Sequence, residues 1–170
     1  FDLVPEKKQF LDLVEADLLD KESWIPATKD ADCIFHVAAP FFLGEVEESL
    51  VMKPAIEGTK NVLEAALKNG VKKVIFTSSI VAMWFGNFDK VVNEDDWSEE
   101  KYCQVYQRMK LKSERVLWEF WRKHHDKIEI VSMNPGLILG PPINKSGGVS
   151  EEVVKNLLLK KYPGILKLCF

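Results

Sequence analysis

Short apolar runs alternate with longer helical patterns along most of this chain, and that alternation restricts its fold more than any other feature. The first run, Phe10 to Leu18 (FLDLVEADL), is rich in aliphatic residues, partly alternating, and reads as a strand leaving its sheet. A short helical segment around Trp24 follows, then a second strand from Cys33 to Ala39 that ends at Pro40, a residue unable to continue a central ladder. From about Val51 to Asn69 the positions Ile56, Thr59, Leu63 and Ala66 recur at helical spacing, with Pro54 near the first turn and Asn69-Gly70 as the stop. Strand character resumes from Val71 to Ser79, a helix is expected from Cys103 to His124, and a last strand from Ile128 to Met133 precedes Asn134-Pro135-Gly136. Strand, helix, strand, helix, strand, helix, strand requires a parallel sheet wound with right-handed crossovers and covered on both faces, an α/β/α arrangement. Ligands on such sheets bind beyond the carboxyl ends of the strands, where this sequence places Ala38-Ala39, Ser78-Ser79 and Pro135-Gly136.

The remaining composition narrows the partners. The chain has 170 residues, 46% of them apolar and 29% charged, which suits one globular domain with a core. No run of 18 apolar residues marks a membrane span. With 23 basic and 26 acidic side chains the net charge is −3, without the basic footprint of a nucleic-acid binder. Three cysteines without CxxC spacing suggest neither a disulfide framework nor a zinc site, and no metal site is expected; a reducing compartment, the cytoplasm, fits best.

Tyr106 and Lys110 carry the most chemistry. Four residues apart on a helix, they project from one face, so an ammonium can lie near a phenol. A neighbouring positive charge favours the phenolate and lowers a tyrosine pKa toward neutrality, as general acid/base work on an alcohol or carbonyl requires. Ser79 closes a strand at the ligand edge, where its hydroxyl can polarise a substrate oxygen beside the tyrosine.

VEADLLD, DCIFHVAAP, KPAIEGTKNVLEAA, KKVIFTSS, NEDDW, YQRMKLKSE and NPGLILGP occur in an order and spacing that resemble the extended short-chain dehydrogenase/reductase family. The branch of dihydroflavonol reductases, cinnamoyl-CoA reductases and related aldehyde reductases is the most similar. That resemblance implies a Rossmann-like doubly wound sheet and an oxidoreductase that reduces an aldehyde or ketone with NADP as cofactor, NAD being the other option. By the same resemblance Tyr106 would give the proton, Lys110 would lower its pKa and hold the nicotinamide ribose, and Ser79 would bond the substrate oxygen. Asp17 and Leu18 match the pair that meets the adenine; Val37, Ala38 and Ala39 match the small strand-end residues. Pro135, Gly136, Leu137 and Ile138 match the loop beside the nicotinamide, and Ser150 matches a further cofactor contact. Asn61 is expected to make a structural hydrogen bond.

Two departures from the family pattern leave the reactive groups in place: Met109 stands where serine usually precedes the lysine, and Ser113-Glu114 where Ala-Glu is usual. The glycine-rich turn that would bind pyrophosphate at a helix N-terminus is not seen before Phe1. The sequence therefore reads as an internal fragment, with a partial cofactor domain over 1–141 and the beginning of a substrate lobe over 142–170. Residues 10–18 and 33–38 would be the third and fourth strands in the order 3-2-1-4-5-6, so their edges would need the remainder of the chain or a partner chain to cover them.

Other features read as structure. Adjacent His124 and His125 diverge by about 100° on a helix and make a poor metal pair, His36 reads as a core histidine, and the acidic run 93–100 suits a helix dipole. Trp84, Phe85 and Phe88 are candidates to line a substrate pocket. Two rival functions remain at this level: a sugar-nucleotide epimerase or dehydratase on the same scaffold, and a non-catalytic subunit that keeps the fold.

Overall fold

The computed structural model describes residues 10–40, 46–140 and 149–161. Three parallel strands, β1 (Cys33–His36), β2 (Lys73–Thr77) and β3 (Glu129–Met133), form a sheet in the order β1-β2-β3. The register sets Phe35 beside Ile75 and Ile75 beside Val131, and their neighbours His36 beside Phe76 and Phe76 beside Ser132. Among the described residues four α-helices accompany it: α1 (Trp24–Ala27), α2 (Glu48–Lys68), α3 (Val105–His124) and α4 (Val149–Leu158). This is the expected Rossmann-like parallel α/β architecture, with three strands in its sheet.

Local chemistry explains the boundaries. Helix α2 stops at Asn69-Gly70, where Gly70 takes φ +72° and the amides of Gly70 and Val71 return to Leu67 O and Ala66 O. Three residues after Gly70, at Lys73, β2 begins. At its other end α2 starts at Glu48, three residues before the expected Val51, so Pro54 falls in the second turn. Helix α3 ends in Arg122 and Lys123 followed by His124, and the two cations suit the negative end of its dipole.

Strand alternation selects which face is buried. Val74 and Phe76 pack against Leu63 and Ala66 of α2 and Leu117 of α3, with Val71, Ile128 and the half-buried Ile34 and Ile130 closing the core. Met109 is buried with Val51 and Ala55, so the residue that departs from the family pattern serves the contact between α3 and α2. The opposite sheet face carries Phe35, Ile75, Val131 and Met133; Phe35 is 69% exposed and Met133 54%. Among the described residues, helices therefore pack closely on one face of the sheet, and the second helical layer of the expected α/β/α sandwich is not among them.

The expected strand over residues 10–18 is not formed. Phe10 lies in a 3-10 turn, residues 11–17 have no ladder partner, and residues 18–19 are a turn. Alternating aliphatic residues make a strand only if a neighbour takes their backbone groups. Here the Leu18 carbonyl is taken instead by Asn61 Nδ2 of α2 at 2.8 Å, and the Asp17 carboxylate accepts from Leu19 N at 2.7 Å. Strand β1 also ends earlier than expected, at His36, leaving Val37, Ala38 and Ala39 in irregular backbone. The expected domain boundary at residues 141–142 lies outside the described residues.

Candidate functional site

The carboxyl ends of the three strands meet the N-terminal half of α3. Ser79, two residues beyond the end of β2, caps the 3-10 turn Ile80–Ala82, accepting from Val81 N at 3.4 Å. Its hydroxyl donates to Pro135 O at 3.5 Å and shares a side-chain hydrogen bond with Tyr106. The Ile80 amide also bonds Pro135 O, at 3.0 Å, which fastens the start of the 135–138 loop to the serine. One turn along α3 from Tyr106, Lys110 sends its ammonium inward to Thr77 O at 2.9 Å. Helix spacing thus puts both groups on the face that meets the end of β2.

Their surroundings differ. Tyr106 is 37% exposed, whereas Lys110 is 6% exposed. Burial pushes the Tyr106 phenol above its ordinary value, with the Ser79 hydrogen bond opposing that rise, and burial pushes the Lys110 ammonium down, with the Glu114 carboxylate opposing it. Lys110 was expected to lower the tyrosine pKa; in this structure desolvation is the largest influence on the phenol, and the ammonium is directed to a main-chain oxygen. A phenol with a raised pKa is protonated at neutral pH, the state a proton donor needs.

Three further residues complete the site from behind. Glu114 is 6% exposed and accepts from Ser78 Oγ at 2.5 Å, Asn134 Nδ2 at 2.8 Å and Trp118 Nε1 at 3.1 Å. Asn134 also donates to Ser79 O at 3.2 Å. His36, at the end of β1, is buried, lies 3.5 Å from Thr59 Oγ1 and stacks edge-on with Phe76; burial, aided by the Lys110 charge, lowers its pKa to about 4. Ser78 was placed at the ligand edge from sequence without a role, and Glu114 and Asn134 were missed as site residues, although Glu114 at four residues from Lys110 shares its helix face.

The remaining expected contacts lie further out. The Asp17–Leu18 turn rests on α2, where Gly58 and Asn61 hold Leu18 beside the Thr59 that meets the end of β1. Val37 and Ala38 are exposed and Ala39 half-buried along the open strand end. Beyond half-buried Pro135, Gly136, Leu137 and Ile138 are exposed. Ser150 is half-buried in the first turn of α4, with no hydrogen bond to this cluster.

Among the described residues no group of His, Cys, Asp or Glu is arranged to hold a metal, and no helix is long and apolar enough to cross a membrane. Residues 4–160 match the model of the 3-beta hydroxysteroid dehydrogenase/isomerase family. The chain belongs to that family. The chain is also similar to reductases of the kind its motifs resembled. Over 146 residues it is 34% identical to cinnamoyl-CoA reductase 2 of Arabidopsis thaliana, covering 82% of this chain and 42% of that protein. Anthocyanidin reductase of the same plant is 36% identical over 142 residues, 76% of this chain and 41% of the relative. The solved structure of yeast methylglyoxal/isovaleraldehyde reductase Gre2 complexed with NADPH superposes with a TM-score of 0.72 at 26% identity, over 84% of this chain and 49% of that one. The chain thus spans less than half the length of these relatives.

Proposed function

We propose that this chain carries the proton-transfer half of an NADP(H)-dependent reductase that converts an aldehyde or ketone to an alcohol. The observation that carries the reading is the joint anchoring of Tyr106 and Lys110 at the end of β2, the phenol on Ser79 and the ammonium on Thr77 O. The relatives named above, all reductases, support it.

The residues fit a dinucleotide in two respects. An ammonium has three donors, and Thr77 O takes one of those of Lys110, leaving donors for ribose hydroxyls. The backbone at Val37 to Ala39 is open and lined by small side chains, so a flat ligand can approach it closely. In this reading the cofactor also meets Asp17 and Leu18 at its adenine end, and Pro135, Gly136, Leu137, Ile138 and Ser150 elsewhere along its length.

When bound, the nicotinamide supplies hydride to the carbonyl carbon. Ser79 Oγ hydrogen-bonds the carbonyl oxygen and holds it against the Tyr106 hydroxyl. Tyr106 gives that oxygen its proton as negative charge develops on it, forming the alcohol, and the nearby Lys110 charge stabilises the phenolate left behind. Residues 1–141 serve the cofactor and residues from 142 onward begin the lobe that meets substrate. The aromatic cluster of Trp84, Phe85 and Phe88, whose ring centroids lie 5.6 to 6.1 Å apart beyond the Ser79 strand, forms one wall of the substrate site.

The test is NADPH consumption by the full protein across a panel of aldehydes and ketones. Turnover that falls about 10²-fold or more in Tyr106→Phe, with folding intact, is the expected result; full turnover in that variant overturns the assigned role.

A further inference from the structure

Behind the proposed reaction centre lies a buried carboxylate for which the proton-transfer scheme has no use. Glu114 sits in the third turn of α3, 6% exposed, and its two oxygens receive hydrogen bonds from three elements. Ser78 Oγ reaches it from the end of β2, Asn134 Nδ2 from the segment after β3, and Trp118 Nε1 from α3 itself. Asn134 passes the connection on, because the same amide nitrogen donates to Ser79 O and its Oδ1 accepts from Ser132 Oγ. The two strand ends that frame Ser79 are thereby tied to the helix that carries Tyr106 and Lys110.

A buried carboxylate costs free energy unless donors and positive charge compensate it. Three donors satisfy it here, yet a neutral amide or an apolar residue would fill the same space at lower desolvation cost. What only the charge provides is an electrostatic counterpart inside the same pocket. Resting on the reductase reading above, we propose that Glu114 is a positioning residue: its carboxylate fixes the ends of β2 and β3 against α3 and holds the buried Lys110 ammonium in its charged form beneath Tyr106.

The electrostatics around Lys110 agree. Burial lowers its pKa and Glu114 raises it. Among the described residues, the other titratable groups facing this region are Tyr106 on the same helix and His36 on β1. His36 is held neutral by burial, and the Lys110 charge adds to that effect. Among the described residues, Glu114 is thus the negative charge that acts on Lys110.

Glu114→Gln tests the assignment, since it keeps the shape and removes the charge. In the full protein, the Lys110 side-chain titration followed by NMR of 13C-labelled lysine should move to lower pH. The alkaline limb of the NADPH-dependent reduction should move down with it, and Glu114→Asp should restore most of both shifts. An unchanged Lys110 titration in folded Glu114→Gln overturns the proposal. If Glu114→Gln does not fold, Lys110→Met/Glu114→Gln should regain a cooperative melt, because no unmatched ammonium remains; failure of the double variant to do so also overturns it. The titration and the melt do not depend on turnover. A shift of Lys110 in a protein without reductase activity would therefore sink the reductase reading and leave the electrostatic pairing standing, whereas turnover without a shift would do the reverse.

Discussion

Leu18 lies so close to α2 that a Cβ built on Gly58 would stand 2.8 Å from both Leu18 Cβ and Cδ2. Together with the hydrogen bond from Asn61 to the Leu18 carbonyl, this contact fixes the Asp17–Leu18 turn on the helix.

Gly58→Ala should therefore push that turn away. Overpacking of this kind costs roughly 1–3 kcal/mol, measurable by urea denaturation. A rise in the Kd for NADPH should accompany it if the turn meets the adenine. Unchanged stability would mean that Leu18 moves aside without cost.

His36 predicts an acid limb in the stability profile. Burial lowers its pKa from 6.5 to about 4, so between those values the unfolded chain binds a proton that the folded chain refuses. Stability contributed by keeping the ring neutral is complete above pH 6.5 and is lost as pH falls toward 4, by on the order of 3 kcal/mol. His36→Gln should flatten that limb in urea melts between pH 4 and 7, and an unaltered limb would assign it to other groups.

Lys110→Met should lower stability and chemistry together. The side chain is almost fully buried and donates to Thr77 O. Its removal leaves that oxygen and the buried Glu114 carboxylate without the ammonium, and removing one partner of a buried charge pair costs about 3–5 kcal/mol. The melting temperature is expected to fall, and Lys110→Met/Glu114→Gln to recover part of the loss, while NADPH-dependent reduction drops about 10²-fold in both. An unchanged melting temperature in Lys110→Met would show that the two charges are not coupled in the fold.

Phe35 reports on the open sheet face. At 69% exposed, it should tolerate Phe35→Thr with a change within about 0.5 kcal/mol, and the dye 8-anilinonaphthalene-1-sulfonate should bind less to the variant. A loss of several kcal/mol in urea denaturation would instead mean that chain outside the described residues covers this face.

The alternation of strands and helices was legible because burial imposes its period on the sequence: Ile34, Val74 and Phe76 inward, Leu63 and Leu117 against them. The Asn69-Gly70 stop was legible because a left-handed residue there favours glycine. Residues 10–18 misled because their alternation describes side chains, whereas a strand needs backbone partners, and Asn61 occupies the Leu18 carbonyl instead. At the candidate site, Ser79, Tyr106 and Lys110 were named from spacing and resemblance, and the structure brings them to one strand end. The direction of the tyrosine shift was not legible, since it depends on how much water each group loses. Glu114 was passed over because a glutamate on an amphipathic helix ordinarily faces solvent, and only the packing of α3 on the sheet turns position 114 inward.

The oxygen that receives Lys110 belongs to the main chain of residue 77, and its threonine side chain takes no part in that bond. The lysine's anchor is consequently written into the path of the strand and not into the alphabet at that position. Mutational drift at residue 77 can proceed without disturbing the ammonium as long as the ladder on either side of it persists. A kink in that ladder, from a proline at a neighbouring residue for example, would displace the lysine without altering a single atom of its side chain.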